Sequence, residues 1–223
     1  MKNYSAFDVI GPRMIGPSSS HTAGAARLGK VARKISRNEI QKVIFMLHGS
    51  FAKTYRGHGT DKALVAGILG MEPNDENLKK SMEIAKRKGL EYKFVETDLG
   101  DAHPNTVKII MTDQEGHQSE IVGASIGGGN IKVTQINGLT VEFTGEYPTL
   151  VVRQIDQPGV IANVTKILGN FKINVAFMQV FRQKKGKDAF MIIETDHEIA
   201  KEVVEQVKAI GTEIIQVYAI EPL

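Results

Sequence analysis

Hydrophobic and polar positions repeat with two periods along this chain, and the C-terminal part shows both most plainly. Residues 148–155 (PTLVVRQI) are β-branched and strand-like. Asp156-Gln157-Pro158-Gly159 follows as a turn, because proline presets φ and glycine tolerates positive φ. Val160, Ile161, Val164, Ile167 and Leu168 then form one apolar helical stripe that stops at Gly169. Val175, Phe177 and Phe181 alternate along a second strand. Lys184-Lys185-Gly186-Lys187 turns it into a third over residues 189–194. Thr195 to Glu198 reads as a capping box, S/T-x-x-E, ahead of a helix with Ile199, Val203, Val204, Val207 and Ile210 on its apolar side. A last strand covers residues 213–220. Strand, helix, strand, strand, helix, strand predicts the ferredoxin-like split βαβ arrangement, one sheet with two helices on one face.

Before a seam at Thr144-Gly145-Glu146-Tyr147-Pro148 the pattern is glycine-rich and less regular. Helices are expected over 23–35 (AGAARLGKVARKI), 62–69 and 77–88, the last with Leu78, Met82 and Ala85 on one side. Strands are expected over 43–48, 92–97, 106–112, 118–126 and 130–136. The expected class is α+β, with an N-terminal α/β domain over 1–147 and a ferredoxin-like βαββαβ domain over 148–223.

Composition narrows the function more than the fold. Hydrophobic residues make up 42% and charged residues 24% of the 223, as in a soluble globular protein. There is no cysteine, which excludes disulfides, thiolate zinc sites and any cluster held by thiolates of this chain. The first 21 residues have no apolar h-region of a signal peptide, and no apolar run approaches the roughly 20 residues of a membrane span. A cytoplasmic protein is expected. Net charge is +3 with basic residues scattered among acids, so no nucleic acid is expected as a partner.

Candidate chemistry gathers in four clusters. In Gly16-Pro17-Ser18-Ser19-Ser20-His21-Thr22, three hydroxyls and an imidazole precede a helix rich in Ala and Gly. A helix start with hydroxyl caps favours a carboxylate, and a neutral imidazole can take a proton from a bound substrate. The alternative is a capped helix whose histidine only packs. The second cluster is His48-Gly49-Ser50-Phe51-Ala52-Lys53-Thr54, followed by Gly57-His58-Gly59-Thr60-Asp61. Its glycines let a ligand approach the backbone, and its hydroxyls and imidazoles supply donors and acceptors. Its plainer reading is a turn and a helix start capped by Thr60 or Asp61, and no further metal ligands stand at defined spacing.

His103-Pro104-Asn105-Thr106 is third; proline holds the preceding histidine extended. Ser125-Ile126-Gly127-Gly128-Gly129-Asn130 is fourth and joins two strands, which suits a tight hairpin and not a Rossmann phosphate loop, since that must open a helix. Four of the six histidines lie in the first three clusters, each beside Gly, Pro or Ser, and together they suggest a pocket.

GPSSSHT, HGSFAKTYRGHGTD, HPNT and SIGGG, in this order, resemble the beta chain of iron–sulfur L-serine dehydratases. The C-terminal part, with Asp156-Gln157-Pro158-Gly159-Val160-Ile161 at its first strand-to-helix turn, is similar to an ACT domain. The resemblance implies an N-terminal domain like the allosteric-substrate-binding domain of some phosphoglycerate dehydrogenases. It also implies a partner alpha chain carrying a [4Fe–4S] cluster, and elimination of water from L-serine to give pyruvate and ammonium. His21 matches the motif histidine and is the expected base or substrate contact. Ser18, Ser19, Ser20 and Thr22 are expected to hold the serine carboxylate, with Ser50, Thr54, His58 and His103 as further members. In the ACT-like part Asp156, Gly159, Val160 and Ile161 are the expected effector contacts, and self-association is expected there. The absence of cysteine fits a beta chain and sets it apart from the fused single-chain form. The competing reading is a non-catalytic amino-acid sensor. A serine hydrolase lacks its G-x-S-x-G elbow here.

Overall fold

The computed structural model describes residues 14–36, 38–182 and 184–222. Two compact units divide between Asn137 and Gly138, and the fold is mixed α+β.

The first unit opens with a π-helical turn (Ser19–Gly24) that runs directly into α1 (Ala25–Ile35). There follow β1 (Ile40–Leu47), α2 (Gly49–Thr54), α3 (Thr60–Ile68), a 3-10 turn (Glu76–Lys80) and α4 (Ser81–Arg87). The strands β2 (Glu91–Glu96), β3 (Thr106–Asp113), β4 (Gln118–Gly127) and β5 (Asn130–Ile136) complete it. Strand order is β2-β1-β3-β4-β5, with β1 and β2 parallel and the other neighbours antiparallel. Period two decides which side of each strand is covered: Val107, Ile109 and Met111 of β3 and Val43, Phe45 and Leu47 of β1 are buried. Leu28, Val31, Ala32 and Ile35 of α1 are likewise inside.

Helices α1 and α3 cross at two glycines. A Cβ on Gly29 would lie 2.5 Å from the Leu64 carbonyl oxygen, and one on Gly67 would lie 2.1 Å from that of Ala26. Without side chains at the crossing the backbones touch, which fixes the loops at the helix starts relative to one another.

Several expectations need correction. Ser19 to Thr22 lie inside the first helical turn, not ahead of the helix. The expected 62–69 helix starts at Thr60, after Gly59 in the left-handed region (φ +72°); neither Thr60 nor Asp61 caps it. The expected 77–88 helix is broken at Ser81 into a 3-10 turn, capped by the Asp75 carboxylate, and α4. Helix α2 was not expected. The fourth cluster is the tight hairpin: Gly127 pairs with Asn130, and Gly128 and Gly129 turn the chain with φ of +61° and +86°.

The second unit contains β6 (Leu139–Phe143), also not expected, then β7 (Thr149–Ile155), α5 (Val160–Asn170), β8 (Val175–Arg182), β9 (Asp188–Thr195), α6 (Lys201–Lys208) and β10 (Ile214–Ile220). The order β10-β7-β9-β8, antiparallel throughout, is the ferredoxin-like sheet. Leu150, Val152, Met191, Ile193 and Val217 of the sheet pack with Val164, Leu168, Val203 and Val207 of α5 and α6. The capping box does not form. Thr195 ends β9 and its hydroxyl donates to the carbonyls of Pro148 and His197, while α6 begins only after extended Ala200. No helix among the described residues is long and apolar enough to cross a membrane.

Candidate functional site

The first two clusters meet around His21. Ser18, in extended conformation, is the N-cap of the π-helical turn: its Oγ accepts from the His21 N–H at 3.3 Å. The same hydroxyl lies 3.3 Å from His21 Nδ1, and Ser50 Oγ lies 3.1 Å from Nε2. Both ring nitrogens therefore face hydroxyls, one local and one 29 residues away. The buried Phe51 ring meets the imidazole edge-on at 5.4 Å, and the exposed His58 ring meets it at 4.7 Å.

Ser50 is held by its own backbone. Its N–H donates to the Pro104 carbonyl at 2.7 Å, and the Phe51 N–H reaches the same oxygen at 3.3 Å. The HPNT loop is thereby tied to the start of α2. Gly49 (φ +57°) lets the loop approach, since a Cβ there would lie 2.6 Å from the Pro104 oxygen.

Thr22, Thr54 and His103 have protein partners. Thr22 is 1% exposed, and its hydroxyl is directed at the His58 carbonyl at 3.5 Å. The Thr54 hydroxyl donates to the Ser50 carbonyl at 2.7 Å. Exposed His103 accepts at Nδ1 from the Asn105 N–H at 3.1 Å. Ser19 and Ser20 are half-buried in the π-helical turn. His48 of the second cluster turns away, accepting at Nδ1 from the Leu99 N–H at 3.1 Å. Direct contact thus unites His21 with Ser18, Ser50 and His58.

In the second unit Asp156 accepts from the Arg182 guanidinium at 2.8 Å and from the Gly186 N–H at 3.4 Å. The Arg182 bond, chiefly, holds its carboxyl below the usual range. Gly159 (φ +92°) starts α5, Val160 is buried in it, and Ile161 is 43% exposed.

Burial lowers the His21 pKa from 6.5, and the neighbouring His58 lowers it further, because two imidazolium ions in contact repel. His21 is consequently neutral at pH 7. The sign for stability follows. The unfolded chain takes up the proton near 6.5 before the folded one does, so acidification below 6.5 costs stability until the folded value is passed. NMR titration is expected to show the His21 imidazole titrating below 6.5 and shifting up in His58→Gln. An unshifted His21 there would remove His58 as a cause.

Of three further polar residues in the same clusters, the sequence marks Thr60 as a hydroxyl donor and acceptor but singles out neither Asn105 nor Ser125 as a site member. Thr60 Oγ1, Asn105 Oδ1 and Ser125 Oγ are buried without a hydrogen-bond partner. The available signal was polar side chains set among the glycine and proline residues of the motifs. Asp61, also buried, has its carboxyl pushed up by desolvation, opposed by the Lys62 N–H and by the charges of Lys62 and Arg56.

The "Serine dehydratase beta chain" family model matches residues 5–92, and the ACT domain model matches residues 149–212. The L-serine dehydratase beta chain of Peptoniphilus asaccharolyticus is 47% identical over 197 residues, covering 88% of this chain and 89% of that one. The probable L-serine dehydratase beta chain of Bacillus subtilis (strain 168) is 45% identical over 217 residues, covering 97% and 98%. The D-3-phosphoglycerate dehydrogenase of Methanocaldococcus jannaschii is 29% identical over 191 residues, 83% of this chain but 35% of that protein. With two relatives matched over nearly their full lengths, the chain belongs to the serine dehydratase beta-chain family and carries an ACT domain.

Proposed function

We propose that this chain is the beta subunit of a two-chain L-serine dehydratase. With an alpha chain it removes water from L-serine to give aminoacrylate, which hydrolyses to pyruvate and ammonium. The observation that carries the reading is the neutral His21 imidazole held between Ser18 and Ser50 in the motif that marks the family.

The residues of this chain do not fit an iron–sulfur cluster. It has no cysteine, and among the described residues no group of three or more His, Cys, Asp or Glu could hold a metal ion. In this reading the [4Fe–4S] cluster belongs to the alpha chain and supplies Lewis-acid pull on the substrate hydroxyl.

What this chain contributes is a base and a cradle. The α-proton of serine is weakly acidic, so a positioned neutral imidazole is needed to take it. Ser50 Oγ at Nε2 fixes the ring and is the group that the substrate displaces or through which the proton passes. Ser18, Ser19 and Ser20, at the start of the long π-to-α helix, face the substrate carboxylate, which the positive end of the helix favours. Thr22, Thr54, His58 and His103 shape the surrounding wall. The enzyme works in the cytoplasm. Its ACT domain pairs with a second copy and receives an amino-acid effector at Asp156, Gly159, Val160 and Ile161.

The test is anaerobic co-expression with the candidate alpha chain, followed by pyruvate formation from L-serine for each chain and for the mixture. Activity in the mixture alone is the expected result. Full activity of the alpha chain by itself would make this chain a non-catalytic amino-acid sensor.

A further inference from the structure

Two of the partnerless oxygens belong to residues that a backbone hydrogen bond joins where β3 meets β4. Strand β3 pairs with β4 so that Thr106 faces Ala124, which sets Asn105 opposite Ser125, and the Ser125 N–H donates to the Asn105 carbonyl at 3.0 Å. Directly opposed residues project to the same side of a sheet, with Cβ atoms about 5 Å apart. Ser125 is 0% exposed and its Oγ has no partner; the Asn105 Oδ1 is buried and has none either.

Ser125 lies under the π-helical turn. A Cβ on Gly24, three residues after His21, would lie 2.1 Å from Ser125 Oγ. Only glycine there leaves the hydroxyl its space. On the other side, Asn105 follows Pro104, whose carbonyl holds the N–H of Ser50, the residue at His21 Nε2. Ser125 thus lies against Gly24, and Asn105 adjoins the proline that holds Ser50.

A buried polar atom without a partner is costly, and native proteins rarely keep two on paired residues unless something else satisfies them. Alanine at 125 would remove one such cost at almost no change of shape. We infer that Asn105 and Ser125 form a polar recess that binds the α-ammonium group of the amino-acid substrate. An ammonium offers three N–H donors and no acceptor, which suits two convergent side-chain oxygens. This rests on the dehydratase reading for the identity of the ligand and adds the residues that distinguish an amino acid from a hydroxy acid.

The test compares equilibrium binding of L-serine and of L-glycerate, in which hydroxyl replaces ammonium, to the alpha–beta protein and to this full chain. Wild-type protein is expected to prefer L-serine. Ser125→Ala and Asn105→Ser are expected to weaken L-serine binding about tenfold each while L-glycerate binding changes little, as for loss of one charged hydrogen bond. In turnover the loss is expected in KM more than in kcat. Circular dichroism and melting of each variant confirm folding, and Ser125→Ala removes a single oxygen. Equal weakening for both ligands, an unchanged preference, or no preference in the wild type would each overturn the assignment, the second indicating only a buried water. Because binding is read without turnover, failure of the mixture to make pyruvate would sink the dehydratase reading separately.

Discussion

Gly67→Ala is expected to destabilise the first unit by about 2 kcal/mol or more, seen as an earlier midpoint in urea or heat. Helix propensity works the other way, favouring alanine by roughly 1 kcal/mol. Packing decides the sign. The new methyl would stand 2.1 Å from the Ala26 oxygen, 2.7 Å from Gly29 Cα and 2.8 Å from the Lys30 nitrogen, all backbone atoms of α1. No side chain can swing aside, so α1 and α3 must part. Gly169→Ala in α5 is the control, because a Cβ there meets nothing within 4 Å and only the propensity gain remains. Equal melting of Gly67→Ala and wild type would mean that the crossing is not close-packed.

His21→Ala in the assembled alpha–beta enzyme is expected to lower kcat by about 10²–10⁴-fold, the usual contribution of a positioned base. KM should move less, since Ser18 and the helix start remain. The acid limb of the kcat/KM profile, which reports the free enzyme, should fall below 6.5 in the unaltered protein, in line with burial and the His58 contact. His21→Gln, which keeps a hydrogen-bonding side chain but cannot take the proton, should be as slow as alanine. Near-normal turnover in either variant would end the base assignment and leave His21 as a contact.

The ACT half was legible because its elements are long enough for period to speak. Val160, Val164 and Leu168 of α5 are buried as their spacing predicts, and so are Val203 and Val207 of α6. The start of α6 was misread because the chain after Thr195 stays out of the helix until extended Ala200, and the Thr195 hydroxyl donates to the carbonyls of Pro148 and His197. In the first unit α2 has six residues, fewer than two turns, too short for any apolar stripe to register. A π-helical turn leaves no period at all; its sign was the chemistry of Ser18 to His21. The gathering of His21, Ser50 and His58 was suggested by motif, but the His21–Ser50 contact crosses 29 residues and rests on the Pro104 carbonyl that holds Ser50, which no local pattern announces.

The strand order of the ACT domain bears on how the chain is made. Strand β7 is central, yet one of its two neighbours, β10, is the last strand of this sheet to leave the ribosome. Until residues 214–220 emerge, the segment Leu150 to Ile155 presents a bare line of amide and carbonyl groups beside Val151 and Val152. Such an edge invites strands of other nascent chains. Synthesis halted between β9 and β10 therefore yields an aggregation-prone species, and the interval before β10 docks is when a holding chaperone has most to protect.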